Sequence, residues 1–186
     1  MEDKKAMRRM AREAEKNAGG EYLRESDAAA AESFLRLPEF LSARTVFCYL
    51  GIGTEPDTKH LIRRMLEMGK TVALPKITGD GTMDARVILG LGELVPGTFG
   101  IPEPSDDTEI LPPEETDIVI VPAAAFSKDG YRLGRGGGYY DRYLASCDAF
   151  SVGLTREKLL LDSVPTEEHD MPVNCIITEK RTARLR

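Results

Sequence analysis

Hydrophobic positions follow two regimes along the chain. From Glu2 to about Asn17 the residues are mostly Ala, Met, Arg, Lys and Glu, which predicts a helix stopped at Gly19-Gly20. A second helix is predicted from about Ser26 to Leu37: Ser26 or Asp27 can cap it, the alanines favour it, and Pro38 ends it. From residue 45 onward, short apolar runs alternate with amphipathic stretches. TVFCYL (residues 45–50) predicts a buried strand. Asp57 or Thr58 caps a helix through Met68, with Leu61, Ile62, Met65 and Leu66 on one face and Gly69 closing it. TVAL (71–74) is the next strand, ended by Pro75, and residues 83–89 a further one. Residues 96–116 hold five prolines and several acidic residues, which predicts a surface excursion. DIVIV (117–121) is an uninterrupted apolar strand, followed by a glycine-rich loop and a helix from about Tyr139 to Ser146. Phe150–Leu154 and Asn174–Thr178 complete the predicted strands.

Continuous apolar strands alternating with helices predict an α/β fold. Its form is three layers, α/β/α, around a mainly parallel, Rossmann-like sheet. One domain spans 1–186, with the helices of 1–37 packing on the α/β core. In such sheets ligands bind outside the carboxyl ends of the strands. The loops after Leu50, Val121 and Leu154 therefore share the rim where function is expected.

Charge narrows the partners. The 186 residues carry a net charge of −6, which argues against general nucleic-acid binding, because phosphate neutralisation needs clustered Lys and Arg. No stretch approaches the ~18 apolar residues of a membrane span, and the N-terminus lacks the apolar core of a secretory signal. Cys48, Cys147 and Cys175 are widely spaced with no CxxC pair, so neither a disulfide framework nor a zinc site is expected. The expectation is a cytoplasmic protein, a monomer or small homo-oligomer, with a small-molecule substrate and no membrane or nucleic-acid partner.

The chemistry concentrates in AFSKDGYRLGRGGGYYDRYL (residues 125–144), between a strand and a helix. Gly134, Gly136, Gly137 and Gly138 free the backbone to turn N–H groups toward an anion. Arg132 and Arg135 can fork onto phosphate oxygens. This phosphate cradle matches neither GxxxxGK[ST] nor a GxGxxG opening a first βαβ unit. Asp141, in the first helical turn, suits either the helix dipole or a magnesium ion. Lys4, Arg8 and Arg12 lie four apart on one face of the N-terminal helix, either simply solvated or with Lys4 and Arg8 reaching nucleotide phosphates. Glu55 sits on a rim loop without an obvious structural task and could orient a reacting group. Asp170, in PTEEHD (165–170), is a possible second metal ligand.

RLGRGGGYYDRYL after DIVIVPAAAF resembles the signature of the 5-formyltetrahydrofolate cyclo-ligase family. KKAMRR, YLGIGTEPDT, GTFGIPEPS and PTEEHDMPVNCIIT also resemble that family, in the same order. The resemblance implies an enzyme that uses ATP and Mg2+ to close 5-formyltetrahydrofolate into 5,10-methenyltetrahydrofolate. It implies that Lys4, Lys5 and Arg8 line the ATP site, with Arg8 also near the folate. Leu50 and Glu55 would contact the folate. Arg132, Leu133, Gly134, Arg135, Gly136, Gly137, Gly138, Tyr139 and Tyr140 would hold ATP, those from Arg135 to Tyr139 facing folate as well. Asp141 and Asp170 would ligate magnesium. Arg135, Glu55 and Lys4 would carry the catalytic roles. Asn174 stands where the family more often shows Asp, and LTREKLLL (154–161) replaces a more usual aromatic and glutamine pattern; both bear on the folate pocket wall. Two alternatives stay open: an ATP-dependent enzyme of the same fold acting on another formylated or amide substrate, and a non-catalytic folate-binding homologue.

Overall fold

The computed structural model describes residues 2–53 and 55–185. Helices α1 (Glu2–Lys16), α2 (Gly20–Leu35) and α3 (Pro38–Ser42) lead into strand β1 (Thr45–Phe47). Helix α4 (Lys59–Glu67) connects it to β2 (Thr71–Gly79), which turns into β3 (Thr82–Ile88). The proline-rich excursion carries the two-residue strands β4 (Val95–Pro96) and β5 (Pro102–Glu103) and short 3-10 turns at Thr98–Gly100 and Pro113–Glu115. Then come β6 (Ile118–Val121), β7 (Ala125–Ser127), β8 (Arg132–Leu133), α5 (Tyr139–Leu144), β9 (Phe150–Leu154), β10 (Leu160–Leu161), β11 (Cys175–Ile177) and β12 (Thr182–Arg184).

The main sheet has the order β12-β11-β9-β6-β1-β2-β3. Its five inner strands are parallel, and β12 and β3 close the edges antiparallel. From β1 the chain moves outward to β2, whereas from β6 it moves the other way to β9 and β11. The strand order therefore reverses between β1 and β6, the position where open α/β sheets hold ligands.

Two-residue alternation sorts the strand side chains to opposite faces. Val46, Leu74, Ile118, Ile120, Val152 and Ile177 pack with Phe34 of α2, Phe40 of α3 and Leu61, Ile62 and Met65 of α4. The intervening Phe47, Ala73, Val119, Val121 and Ile176 pack with Tyr143 and Leu144 of α5. Helices thus cover both faces, and the predicted three-layer α/β/α arrangement is the observed one. Fully enclosed rings such as Phe34 and Phe40 contribute about 1.5–3 kcal/mol each through burial. A second, three-stranded sheet, β10-β7-β8, stands apart from the first. Helix α1 seats Met7 and Ala11 on it, against Ala125, Leu133 and Leu159. Among the described residues no helix is long and apolar enough to cross a membrane.

Several boundaries differ from expectation. Helix α2 begins at Gly20, because Gly19 at φ 80° already makes the break and Glu21 to Glu25 are free to be helical. Ser26 therefore lies inside the helix, where its hydroxyl donates to the Leu23 carbonyl (3.0 Å). Pro38 opens α3 rather than merely ending α2, as its fixed φ suits a first helical turn. Strand β2 runs through Pro75 to Gly79, since its pairing with β1 stops at Ala73 and the remainder pairs only with β3.

Gly153, in the middle of β9, lies so close to Phe126 that an added Cβ would sit 2.5 Å from its ring. Gly153→Ala is expected to lower stability by about 1–3 kcal/mol through overpacking. Urea unfolding checks this as a lower midpoint at unchanged slope; an unchanged midpoint contradicts the packing described.

Candidate active site

The loop after β1 is tightly folded. A side chain at Gly51 would collide with the Pro56 carbonyl, so only glycine fits there. The Thr58 hydroxyl donates to the Tyr49 carbonyl (2.6 Å) and accepts the Gly51 N–H (3.0 Å). It therefore braces the loop rather than capping α4, and Asp57 Oδ1 takes the Lys59 N–H instead (3.0 Å). This frame points Glu55 inward. Its Oε2 accepts the Ile52 N–H (3.1 Å), and its Oε1 pairs with Arg135 Nη2 (2.6 Å).

Arg135 belongs to the glycine loop that follows β8. Gly136 (φ 104°) and Gly138 (φ 68°) adopt conformations that disfavour any side chain. Arginines fix the loop by its carbonyls: Arg8 Nε donates to Gly134 O (2.6 Å) and Arg142 Nη1 to Gly137 O (2.9 Å). Arg142 also donates to Gly81 O (3.1 Å), which ties the β2–β3 turn to the loop. Helix α5 has only six residues, and its dipole adds little to what the loop offers an anion. The Glu55–Arg135 pair therefore spans the switch point, joining the loop of β1 to the loop downstream of β6.

A second set of charges lies beside the first. Helix α1 turns Lys4, Met7, Arg8, Ala11 and Glu15 toward the protein and leaves Lys5, Arg9 and Arg12 exposed, so Arg12 is not on the inward face with Lys4 and Arg8. Lys4 Nζ pairs with Glu167 Oε1 (2.9 Å) and Asp170 Oδ2 (3.2 Å). Arg132 is buried; its Nη2 pairs with Asp141 Oδ1 (2.7 Å) and its Nη1 donates to Met171 O (2.7 Å). The Met171 N–H in turn donates to Asp141 Oδ1 (3.0 Å). Asp141 and Asp170 thus meet at one corner, linked through a single residue. Burial draws the Arg132 pKa down against the opposing pull of Asp141, yet a guanidinium stays charged. Burial raises the Asp170 pKa, but the Glu167 amide and Lys4 outweigh it and hold it below the usual carboxylate value.

Among the described residues no group of three or more His, Cys, Asp or Glu is placed to hold a metal ion. Two carboxylates do not make an all-protein cage. They fit an ion shared with substrate phosphates, the usual mode for magnesium, which takes one or two carboxylates and keeps several waters.

The 5-formyltetrahydrofolate cyclo-ligase family model matches residues 1–179. The chain belongs to this family. The cyclo-ligase of Mycolicibacterium smegmatis is 37% identical over 171 residues, covering 87% of this chain and 86% of that protein. That of Escherichia coli is 33% identical over 170 residues, covering 87% and 92%. Among solved structures, the 5,10-methenyltetrahydrofolate synthetase of Aquifex aeolicus superposes with a TM-score of 0.88 at 33% identity, covering 98% of this chain and 93% of that one. A Mycoplasma pneumoniae synthetase shares the fold at 20% identity, with a TM-score of 0.77 over 95% and 99% of the two chains. The expectation of an enzyme of the cyclo-ligase family is met.

Within this cyclo-ligase fold, the residues singled out in the sequence take three kinds of place. Lys4, Arg8, Glu55, Arg132, Arg135, Asp141 and Asp170 are drawn into the linked ion pairs and hydrogen bonds just described, with Gly134 to Gly138 and Tyr139 beside them. Lys5 is exposed on the outward side of α1. Leu50, Leu133 and Tyr140 are turned inward. Leu133 packs against Ala11 and Ala125, anchoring α1, and Leu50 is in the main core. The Tyr140 ring stacks on Phe47 (centroids 5.9 Å apart), and its enclosed hydroxyl has no hydrogen-bond partner among the described residues. With their side chains packed inward, Leu133 and Tyr140 offer the loop only their main chain.

The two departures from the family pattern have structural tasks. Asn174 Oδ1 accepts both the N–H and the hydroxyl of Ser151 (2.8 Å each), tying β11 to β9. Arg156 is buried among Glu15, Ser26 and Asp27. Sequence reasoning missed Arg142, Glu167 and Met171. Arg142 lay within the quoted motif, but nothing local signals that its side chain folds back on the loop carbonyl.

Asp170 and Glu167 both titrate below their ordinary values in the folded chain, Glu167 chiefly through its hydrogen bond to Lys4. Their contribution to stability is complete above the unfolded carboxylate range, about 4. It is lost as pH falls through the lower folded values, because the unfolded chain then binds more protons. Asp170→Asn should therefore flatten the fall of the thermal midpoint below about pH 5. An acid limb identical to that of the parent protein contradicts the Lys4 pairing.

Proposed function

We propose that this chain catalyses the ATP- and magnesium-dependent closure of 5-formyltetrahydrofolate to 5,10-methenyltetrahydrofolate, releasing ADP and phosphate. Family membership supports the reaction class. The observation that carries the reading is the Glu55–Arg135 pair across the switch point, flanked by the Lys4–Asp170 and Arg132–Asp141 pairs. One crevice thus offers cations for a polyphosphate and a carboxylate for a nitrogen heterocycle.

The formamide oxygen of the substrate attacks the γ-phosphate of ATP, the bond to ADP breaks, and a poor leaving group becomes a good one. The folate nitrogen at position 10 attacks the activated formyl carbon, the ring closes, and phosphate departs with the proton that nitrogen loses. Phosphoryl transfer needs positioning and charge neutralisation more than covalent help. Lys4, Arg8 and the amides of Gly134 to Gly138 hold ATP, and Arg132 keeps Asp141 in place. Asp141 and Asp170 would hold magnesium, which when bound neutralises charge on the transferring phosphate. Arg135, more than half exposed, is free to exchange Glu55 for a phosphate oxygen. Glu55 then accepts an N–H of the pterin and orients it, with Tyr139 along the same wall.

Formation of methenyltetrahydrofolate followed by absorbance tests these roles. Arg135→Ala should cut turnover about 10²-fold, the scale for losing a transition-state donor; a variant within about twofold of the parent removes Arg135 from the mechanism. Glu55→Gln should weaken folate binding more than ATP binding in calorimetry. Unchanged folate affinity contradicts its assignment.

A further inference from the structure

The third rim loop, after β9, contributes a buried cation that the reaction itself does not use. Arg156 is 3% exposed. Its Nη2 pairs with Asp27 Oδ1 (2.6 Å), its Nη1 with Glu15 Oε1 (3.3 Å), and its Nε donates to Ser26 Oγ (3.2 Å). These partners belong to different arms of the site. Glu15 lies on the inward face of α1, below Lys4 and Arg8. Asp27 lies on α2, and its other oxygen, Oδ2, accepts the Asp57 N–H (3.0 Å) on the loop that carries Glu55. Arg156 therefore holds the helix bearing Lys4 and Arg8 and, through Asp27, the loop bearing Glu55.

Stability alone does not account for this arrangement. Burying an arginine with carboxylates carries a desolvation cost that apolar packing of similar volume avoids. Burial even pushes the Asp27 carboxyl pKa up, against the Asp57 amide and Arg156. What the planar guanidinium supplies is fixed direction: its forked donors set two acceptors at a defined angle and separation.

We propose that Arg156 is a positioning residue for the cyclisation, setting the α1 cations and Glu55 at the separation at which both substrates are engaged together. The inference rests on the cyclo-ligase reading and deepens it. Arg156 touches neither substrate; it acts through Glu15 on one arm and Asp27 on the other.

The two arms can be cut separately. Glu15→Ala should raise KM for ATP about tenfold and leave KM for the folate near the parent value. Asp27→Ala should do the reverse. Arg156→Met should raise both, and Arg156→Lys, which keeps the charge but loses the fork, should recover only part of the effect. In parallel, amide hydrogen exchange is measured on each variant. Faster exchange is expected in α1 for Glu15→Ala, in residues 51–57 for Asp27→Ala and in both for Arg156→Met, with the main sheet unchanged. Equal effects on both KM values in every variant, or loosening spread evenly through the sheet, would show a purely structural role and overturn the proposal. If the parent protein makes no methenyltetrahydrofolate, the cyclo-ligase reading fails, and the exchange pattern still decides whether Arg156 links the two arms. Should Arg156→Met fail to fold, Glu15→Ala and Asp27→Ala decide the matter.

Discussion

Five parallel strands buried on both faces leave a ligand crevice where their connections part, and here that point lies between β1 and β6. Everything at the site follows from this constraint. The loop after β1 must turn sharply enough to clear the crevice, which Gly51 allows and Thr58 secures. The chain leaving β6 must make a detour before it can return as β9. That detour is the β7–β8 hairpin of the small sheet, the glycine loop and α5. The detour gives α1 a surface to pack on, and so brings Lys4 and Arg8 to a crevice far from them in sequence.

The cations at this crevice are all engaged in the chain alone. Lys4 holds Asp170, Arg132 holds Asp141, Arg135 holds Glu55, and Arg8 holds a loop carbonyl. Such pairing keeps a cluster of like charges from repelling itself apart. On the proposed function, a polyphosphate would enter by exchange rather than by filling free cations. The exchange is easiest for Arg135, which is the most exposed of the paired cations, and hardest for Arg132, which is buried. The first suits a group that changes partner during turnover; the second suits a fixed support for a carboxylate.

Much of this was legible in the residues. The alternation of apolar runs and amphipathic helices was enough for the sheet and its parallel character, because burial on both faces demands them. The glycine loop was legible because few other tasks need so many glycines beside arginines. Boundaries were less so: Pro38 and Pro75 read as terminators, yet one starts a helix and the other sits where β2 has a partner on one side only. Side-chain direction was least legible. Tyr140 belongs to the motif by sequence and to the core by packing, and Arg156 looked like a change in a pocket wall but is a buried clamp. In both cases the deciding partners come from distant elements, on which local pattern is silent.

The most direct measurement is the growth of methenyltetrahydrofolate absorbance with purified protein, leaving out ATP, magnesium or 5-formyltetrahydrofolate in turn. The account predicts growth only when all three are present. Growth without ATP, or none from folded protein with all three, contradicts it.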